Sequence, residues 1–245
     1  MKQTWVILGA SSAIARAFAR RMAEANADLV LCGRDKADID RLAADLSLRG
    51  EGNAQALAFD AAEPASFAAI LDAMAEKDGQ LNIAVFSGYM PDQTHLDAEP
   101  AVMQSVTQAN FTGPAHFLHL AAPLLEARES GVIVGVGSVA GDRGRLGNYV
   151  YGAAKAGFHT YLSGLRNRMG RKGVQVLTVK PGFTDTAMTW GQEGMFLVAT
   201  PDDIAAAIER AIARKRNVIY APWFWLGIMG VIRVIPEAVF KKLKI

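Results

Sequence analysis

Tyr151, Lys155 and Ser138 are residue types that can move a proton, and their spacing predicts that they meet. Tyr151 and Lys155 are four residues apart, so a helix would place them on one face. A phenol has a reference pKa of about 10, and a neighbouring ammonium favours the phenolate and lowers that value. Tyr151 would then exchange a proton with a carbonyl or alcohol near neutral pH. Ser138 can donate a hydrogen bond to the same oxygen, and Lys155 can also reach a ribose. A pair with this spacing is also common on plain helix surfaces, so the pair alone does not establish a site.

A glycine turn near the N-terminus predicts a nucleotide site. Residues 9–15 read GASSAIA, follow an apolar run and open a helix-like segment. Gly9 permits a tight turn, and the free N–H groups at the start of the helix can receive a pyrophosphate. The predicted cofactor contacts here are Gly9, Ser11, Ser12, Ala13 and Ile14. Because Ala13 and Ala15 stand where glycine is usual, an ordinary strand-to-helix turn remains the alternative.

The end of the second predicted strand indicates which cofactor is preferred. Gly33 leaves space there, and Arg34 offers a guanidinium fork suited to a 2′-phosphate. We therefore expect NADP(H) in preference to NAD(H), with NAD(H) as the alternative. Arg34 as a solvated loop cation, offset by Asp35 beside it, also stays open.

Taken together, the motifs resemble the short-chain dehydrogenase/reductase family over essentially the whole chain. The matching residues, in family order, are Gly9, Ala13, Ala15, Asn110, Ser138, Tyr151, Lys155, Pro181 and Gly182. The resemblance implies hydride transfer between a nicotinamide cofactor and a ketone or secondary alcohol. It assigns the acid/base role to Tyr151, substrate orientation to Ser138, the pKa shift and a ribose contact to Lys155, and a water-linked proton relay to Asn110. It also implies a homodimer or homotetramer.

Further cofactor contacts follow from the same resemblance. Asp60 resembles the acid that contacts the adenine amino group, with a helix N-cap as the alternative. The segment 181–186 resembles the turn around the nicotinamide amide and adds Pro181, Gly182, Thr184 and Thr186. After the fourth strand the family's Asn-Asn-Ala-Gly is replaced by residues 86–89, FSGY, in which Ser87 and Gly88 are the expected contacts. This departure marks a divergent branch.

The elements that must position these residues alternate along the chain. Apolar runs predict strands over residues 5–8, 28–32, 54–59, 83–86, 132–136, 174–179 and 218–220. Amphipathic segments predict helices over residues 13–25, 36–48, 64–77, 101–126, 149–171 and 201–213. This alternation predicts an α/β fold: a Rossmann-type, doubly wound parallel sheet of about seven strands with helices on both faces, in three layers. We expect one domain over residues 1–245, with residues 218–245 as an apolar and basic tail.

Composition narrows the function classes. The chain has 245 residues, 51% of them hydrophobic, and a formal net charge of +2. This near balance argues against a nucleic-acid binder, which would show a strongly basic face. The histidines are not accompanied by a third ligand, so no metal site is predicted. One cysteine and a short N-terminal apolar run favour a reducing compartment, hence a cytoplasmic protein.

The C-terminal tail suggests the substrate class. An aromatic cluster that begins at Trp223 is followed by basic residues, a combination that suits the inner face of a membrane. A buried substrate lid and an oligomer interface are equally open. The tail and residues 141–145 resemble the branch of decaprenylphosphoryl-2-keto-erythro-pentose reductases, whose substrate is a keto sugar on a polyprenyl phosphate. Arg143 and Arg145 would then hold a substrate phosphate, unless they lie in a solvated loop.

We therefore expect an NADP(H)-dependent carbonyl reductase that acts on a small or lipid-linked keto substrate. The alternatives are a non-catalytic nucleotide-binding scaffold or redox sensor, and an ordinary soluble dehydrogenase for a small alcohol. The intact set of Ser138, Tyr151, Lys155 and Asn110 argues against the scaffold.

Overall fold

Seven parallel strands form the centre of the computed structural model, which describes residues 2–190 and 196–243. They are β1 (Gln3–Leu8), β2 (Asp28–Gly33), β3 (Ala54–Ala58), β4 (Gln80–Val85), β5 (Val132–Val136), β6 (Gln175–Pro181) and β7 (Val218–Ala221). Their order in the sheet is β3-β2-β1-β4-β5-β6-β7, and every neighbouring pair is parallel.

Helices connect the strands and cover the sheet. They are α1 (Ala13–Glu24), α2 (Lys36–Leu46), α3 (Ala68–Ala75), α4 (Gln93–Ala98), α5 (Val102–Thr107), α6 (Gly113–Arg128), α7 (Tyr149–Gly170), α8 (Pro201–Ala213), α9 (Trp225–Val234) and α10 (Glu237–Phe240). Short 3₁₀ turns at Pro64–Phe67 and Val139–Asp142 precede α3 and follow β5.

The strands are apolar at successive positions because both faces of the sheet are covered. In β1, Trp5 and Ile7 belong to the core under α1, α2 and α8, whereas Val6 and Leu8 belong to the core under α3, α6 and α7. Burial of each large apolar side chain stabilises the fold by about 1.5–3 kcal/mol relative to leaving that side chain exposed to water. The predicted three-layer, doubly wound α/β fold is confirmed.

The chain reverses direction across the sheet at β1. From β1 it runs outward to β2 and β3, then crosses to β4 on the other side of β1 and continues to β7. The loops that follow β1 and β4 therefore leave a crevice at the carboxyl edge, where open α/β sheets bind their ligands. The glycine turn and residues 86–89 lie in these two loops.

The predicted helix over residues 101–126 is present, but it is not a regular α-helix throughout. The segment is divided into α5, a π-helical turn at Gln108–Thr112, and α6. Asn110 lies in this turn, and its amide donates to the carbonyl oxygen of Val106 at 2.9 Å. Pro114, in the first turn of α6, has no backbone N–H and so cannot donate the next hydrogen bond of a regular α-helix. The segment predicted as a helix over residues 64–77 begins as a 3₁₀ turn and ends at Ala75.

The tail is partly built into the fold. Its first residues form β7, the edge strand of the sheet, and Trp225 and Met229 of α9 are buried against Val139. Other tail side chains face solvent: Trp223 is 82% exposed and Val234 is 77% exposed. Within residues 2–190 and 196–243, none of the helices combines the length and the apolar character that a membrane crossing needs.

Arg143 fastens the end of this tail. Its guanidinium donates to the carbonyl oxygens of Ile232 at 2.6 Å and Ile235 at 2.7 Å, where α9 leaves its last carbonyls without helical partners. It also pairs with Glu237 at 2.9 Å and lies 3.6 Å from the centre of the Phe240 ring. The side chain is therefore occupied by contacts within the chain.

Candidate active site

A cavity of about 820 Å³ lies at the carboxyl edge of the sheet and collects most of the predicted site residues. The glycine turn and Arg34 border one end, and the segment 181–186 borders the other. Ser138, Tyr151 and Lys155 lie along its wall. Of the residues predicted for substrate or cofactor, Arg143 does not reach this cavity. Asn110 lies behind the wall rather than in it.

The glycine turn is packed directly against the loop after β4. Gly9 has a φ of +76°, a conformation that side chains disfavour, and a Cβ there would lie 2.6 Å from the backbone nitrogen of Ser87. Ser12 is the N-cap of α1 and makes no side-chain capping bond. Ala13 and Ile14, in the first turn, line the cavity, and their N–H groups have no partners within the helix. This cradle fits a pyrophosphate.

The adenosine end of the cavity presents two arginines. Arg34 lines it at the end of β2, and the adjacent Asp35 is turned away because its carboxylate caps α2 through the N–H of Asp38 at 3.0 Å. Arg16 of α1 also lines the cavity, where it donates to the Ser11 carbonyl at 3.2 Å and pairs with Asp38. Sequence reasoning missed Arg16, because a helix arginine carries no motif of its own.

Asp60 follows β3 and lines the same end of the cavity. Its carboxylate accepts the N–H of Ala62 at 2.9 Å, while its own N–H donates to Ser66 at 3.1 Å. Asp60 therefore orders the turn after β3 and is not the N-cap of the following 3₁₀ turn, which is Glu63. One carboxylate oxygen remains for an adenine amino group.

Tyr151, near the start of α7, is buried beside Ser138. The Ser138 hydroxyl accepts the N–H of Ala140 at 3.1 Å, which leaves its proton free to donate. Burial raises the pKa of Tyr151 to about 12, and the hydrogen bond with Ser138 and the charge of Arg145 only partly oppose this rise. The expected lowering of the Tyr151 pKa is therefore wrong. Desolvation of the phenolate outweighs its neighbours.

Lys155 is buried. Among the described residues, no carboxylate contacts its ammonium. Its ammonium donates to the carbonyl oxygens of Val136 at 3.1 Å and Ser87 at 3.4 Å, and lies 5.7 Å from the Tyr151 ring centre. Burial lowers the pKa of Lys155 to about 7. Gly88 lies close to this group: a Cβ there would be in ordinary contact with Nζ of Lys155 at 3.7 Å, but tight against Oδ1 of Asn110 at 3.1 Å.

Asn110 fixes the loop after β4. Its amide nitrogen donates to the Tyr89 carbonyl at 2.6 Å, and its amide oxygen accepts the Tyr89 N–H at 3.3 Å. With the additional bond to Val106, the whole side chain is committed to the backbone. Asn110 thus holds the loop that carries Ser87 and Gly88.

The loop at the nicotinamide end of the cavity is supported from below by the tail. A Cβ on Gly182 would lie 1.9 Å from Nε1 of Trp225, so only glycine fits over the indole. Thr184 donates to the Gly182 carbonyl at 3.3 Å, and Thr189 donates to the Thr184 carbonyl at 2.5 Å. Thr184 and Thr186 line the cavity together with Pro181 and Gly182. No motif in the sequence indicates that Trp225 belongs to this end of the site.

Three buried polar atoms on the cavity wall have no hydrogen-bond partner within the described part of the chain. They are Oγ of Ser87, Nε of Arg145 and Oδ1 of Asn148. Such atoms are costly to bury, which suits groups that meet a ligand. Sequence reasoning predicted Ser87 and Arg145 and missed Asn148. Across residues 2–190 and 196–243, no cluster of three or more His, Cys, Asp or Glu side chains is placed to hold a metal ion.

Comparison with known proteins agrees with this geometry. A model of the short chain dehydrogenase family matches residues 3–195. An uncharacterized oxidoreductase of Mycobacterium tuberculosis is 32% identical over 240 residues, which cover 97% of this chain and 96% of that protein. Another from Streptomyces coelicolor is 32% identical over 241 residues, covering 97% and 94%. A solved short-chain dehydrogenase from Sphingobium yanoikuyae in complex with NADPH has a TM-score of 0.80 and 27% identity, covering 97% of this chain and 98% of that one.

The contact between Gly9 and Ser87 predicts the effect of Gly9→Ala. The added methyl group would collide with backbone atoms at 2.6 Å and force a strained φ, at a cost of about 1–3 kcal/mol. A loss of about 1.4 kcal/mol in binding free energy lowers the affinity tenfold. We expect the affinity for NADPH, measured by quenching of protein fluorescence, to fall by at least this factor. Gly170→Ala, at the open C-terminal end of α7, is the control. Equal affinities in the two variants would contradict the cradle.

Proposed function

Since this chain belongs to the short-chain dehydrogenase/reductase family and is an NAD(P)-dependent oxidoreductase, we propose that it reduces a ketone to a secondary alcohol with NADPH. The observation that carries this proposal is the placement of Tyr151, Ser138 and Lys155 together on the cavity wall, at the carboxyl end of β5. When bound, NADPH supplies the hydride. The residues of the chain hold the carbonyl oxygen and deliver the proton.

Tyr151 is the proton donor in this proposal. Because burial keeps its pKa at about 12, the phenol is protonated at neutral pH and ready to donate to a developing alkoxide. The Ser138 hydroxyl donates a second hydrogen bond to the same oxygen. Lys155 holds the loop after β4 and the end of β5 in place and offers its ammonium to a cofactor ribose. Asn110 acts indirectly: it fixes the loop after β4, and by fixing that loop it supports the proposed proton relay.

The proposed preference for NADPH rests on charge at the adenosine end. Arg34 and Arg16 both border that end, and the carboxylate of Asp35 is engaged as a helix cap. A 2′-phosphate would therefore meet the guanidinium of Arg34, and also that of Arg16 where the phosphate competes with Asp38 for it. The NADPH named for the Sphingobium yanoikuyae structure is consistent with this choice.

Tyr151→Phe tests the chemistry. We expect kcat for ketone reduction to fall about 10²- to 10⁴-fold because the proton donor is lost. The affinity for NADPH, measured by titration, should be unchanged. Tyr149→Phe is the matched control, because Tyr149 is 44% exposed and bonds to Asp97 outside the cavity. A Tyr151→Phe protein that retains turnover would remove Tyr151 from the reaction. A wild type that binds NADPH but reduces no ketone of a broad panel would favour the non-catalytic scaffold.

Arg34→Ala tests the cofactor preference. Loss of a charge-assisted contact costs about 1.5–3 kcal/mol, so we expect KM for NADPH to rise roughly 10- to 100-fold. KM for NADH should hardly change, since NADH carries no 2′-phosphate. Arg20→Ala, on the exposed side of α1, is the control. An unchanged ratio of the two KM values would cancel the preference.

We also propose that the substrate carries an anionic group near its carbonyl. Arg145 lines the cavity, makes no ion pair with the described residues and acts on Tyr151 through its charge. Its Nε and the Oδ1 of Asn148 lack partners on the same wall. A carboxylate or phosphate would satisfy Arg145, and a neighbouring hydroxyl would satisfy Asn148. Apolar lining residues such as Met90 and Met188 leave space for a hydrophobic substituent.

Arg145→Gln tests this substrate class. We expect kcat/KM for a keto acid or keto phosphate to fall about 10- to 100-fold, which corresponds to about 1.5–3 kcal/mol. Reduction of a neutral ketone by the same variant should be unaffected or improved. Arg171→Gln, on the exposed end of α7, controls for the change in net charge. Equal losses for charged and neutral substrates would reject the anionic substrate and leave the reductase activity intact.

A lipid-linked substrate is a more specific form of this proposal. The tail exposes Trp223, Leu226 and Val234, and the exposed Lys241 and Lys242 follow them in the chain, a combination suited to an anionic membrane. Arg143 is occupied by the tail, which leaves Arg145 as the candidate for a polyprenyl phosphate. Self-association as a homodimer or homotetramer is compatible with either substrate.

Vesicle flotation tests the membrane contact. We expect the protein to float with vesicles that contain anionic lipid, and the double variant Trp223→Ser, Leu226→Ser to remain in the dense fraction. Leu48→Ser removes an 88% exposed apolar side chain outside the tail and should float as the wild type does. Failure of the wild type to float, at low as well as physiological salt, would leave a water-soluble substrate.

A further inference from the structure

A buried polar cluster lies behind Ser138, outside the cavity wall. Asp142, in the 3₁₀ turn after β5, has a side chain only 3% exposed. It accepts hydrogen bonds from Nζ of Lys180 in β6 at 2.5 Å and from the hydroxyl of Tyr220 in β7 at 2.6 Å. Nδ1 of His159, from α7, lies 3.9 Å from the same carboxylate. The cluster therefore joins four elements at the carboxyl edge of the sheet.

His159 connects this cluster to Ser138. The backbone N–H of Ser138 donates to Nε2 of His159 at 3.3 Å. The imidazole fits into a slot made by two glycines: a Cβ on Gly137 would lie 2.0 Å from Nε2, and a Cβ on Gly141 would lie 2.7 Å from Cε1. The chain immediately before and after Ser138 is thus shaped around the ring.

The charges around His159 keep it in the form that this bond requires. Burial lowers the pKa of His159 to about 3, aided by Lys180 and Lys155 and opposed by Asp142. The imidazole is therefore neutral in any ordinary assay, and only a neutral ring has a nitrogen lone pair to accept the Ser138 N–H. With Nε2 as the acceptor, the ring proton lies on Nδ1, on the side of Asp142.

We propose that His159 is a positioning residue for the reductase reaction: through its bond to the backbone N–H of Ser138, it sets where the Ser138 hydroxyl meets the substrate oxygen. Asp142 lies 3.9 Å from Nδ1, on the side of the ring proton, and is itself held by Lys180. Because Ser138 follows the last residue of β5 by only two positions, the sheet fixes its backbone on one side and His159 fixes it on the other. This inference rests on the proposed function.

The replacement of His159 by Gln or Leu separates positioning from packing. A glutamine at this position would carry an amide oxygen that can reach the place of Nε2, whereas leucine has similar bulk and no acceptor. We expect His159→Leu to lower kcat about 10- to 100-fold, since small displacements of catalytic groups have effects of this size. KM for NADPH should stay within about threefold, and His159→Gln should recover most of kcat. If the Leu protein does not fold, His159→Asn, whose amide is too short to reach, takes its place.

Lys180→Met tests His159 through the pH dependence of kcat, which a change in packing alone would not shift. The titratable or charged groups that act on His159 are Asp142, Lys155 and Lys180. Without Lys180, one repelling charge is removed and Asp142 is free to pair with the imidazolium, so the pKa of His159 rises, while burial continues to hold it below its ordinary value. We expect the fall of kcat at acidic pH, through protonation of the acceptor, to begin at a higher pH in this variant than in the wild type. Adding His159→Gln should abolish this shift.

The outcomes separate this inference from the proposed function. A wild type without ketone reductase activity would overturn the proposed function. An active wild type whose Leu and Gln variants have equal kcat would overturn the role of His159 alone. The same conclusion would follow if kcat of Lys180→Met fell at the same acidic pH as kcat of the wild type, or if the shift persisted in the double variant.

Discussion

The buried ammonium of Lys155 ties together the three segments that form the candidate active site. It lies on α7 and donates to carbonyl oxygens at the end of β5 and in the loop after β4. Removing an ammonium from water costs several kcal/mol, and the two backbone carbonyls offset only part of this cost, since burial lowers the pKa of Lys155 to about 7. The charged form of the lysine is favoured only while these segments stay together. The geometry around Tyr151 therefore depends on this group even where it does not contact the phenol.

The charges that act on Tyr151 in the structure differ from those that the spacing of Tyr151 and Lys155 predicts. A separation of four residues places Tyr151 and Lys155 on one helix face, but it does not say where the ammonium points. In the folded chain the ammonium turns toward the backbone, and the cation that acts on the phenol is Arg145. Burial then sets the sign of the pKa shift. In the proposed reaction, a protonated phenol, a serine hydroxyl and a guanidinium that makes no ion pair with the described residues would deliver a proton to an oxygen beside a negative group.

Much of the fold could be predicted from the sequence, because apolar runs without polar alternation indicate strands buried on both faces. The predicted site residues along the cavity came from local motifs, where neighbours in sequence are neighbours in space. What could not be predicted depends on contacts between distant segments. Arg143 looked like a substrate ligand because the sequence does not show that the carbonyl end of α9 returns to it. The sequence does not point to His159 because Asp142 and Lys180 come from other elements, and the π-helical turn at Gln108–Thr112 could not be anticipated from helical periodicity.

The contact between Gly182 and Trp225 has a consequence for how such chains can diverge. The loop that faces the nicotinamide and the helix that carries the indole are distant in sequence, yet no side chain fits at position 182 while the indole stays in place. Any lineage that acquired a larger residue in the loop would need a smaller one in the helix at the same time. The two positions are therefore expected to change together. Selection on the candidate active site then also constrains the tail, although the outer surface of the tail remains free to vary.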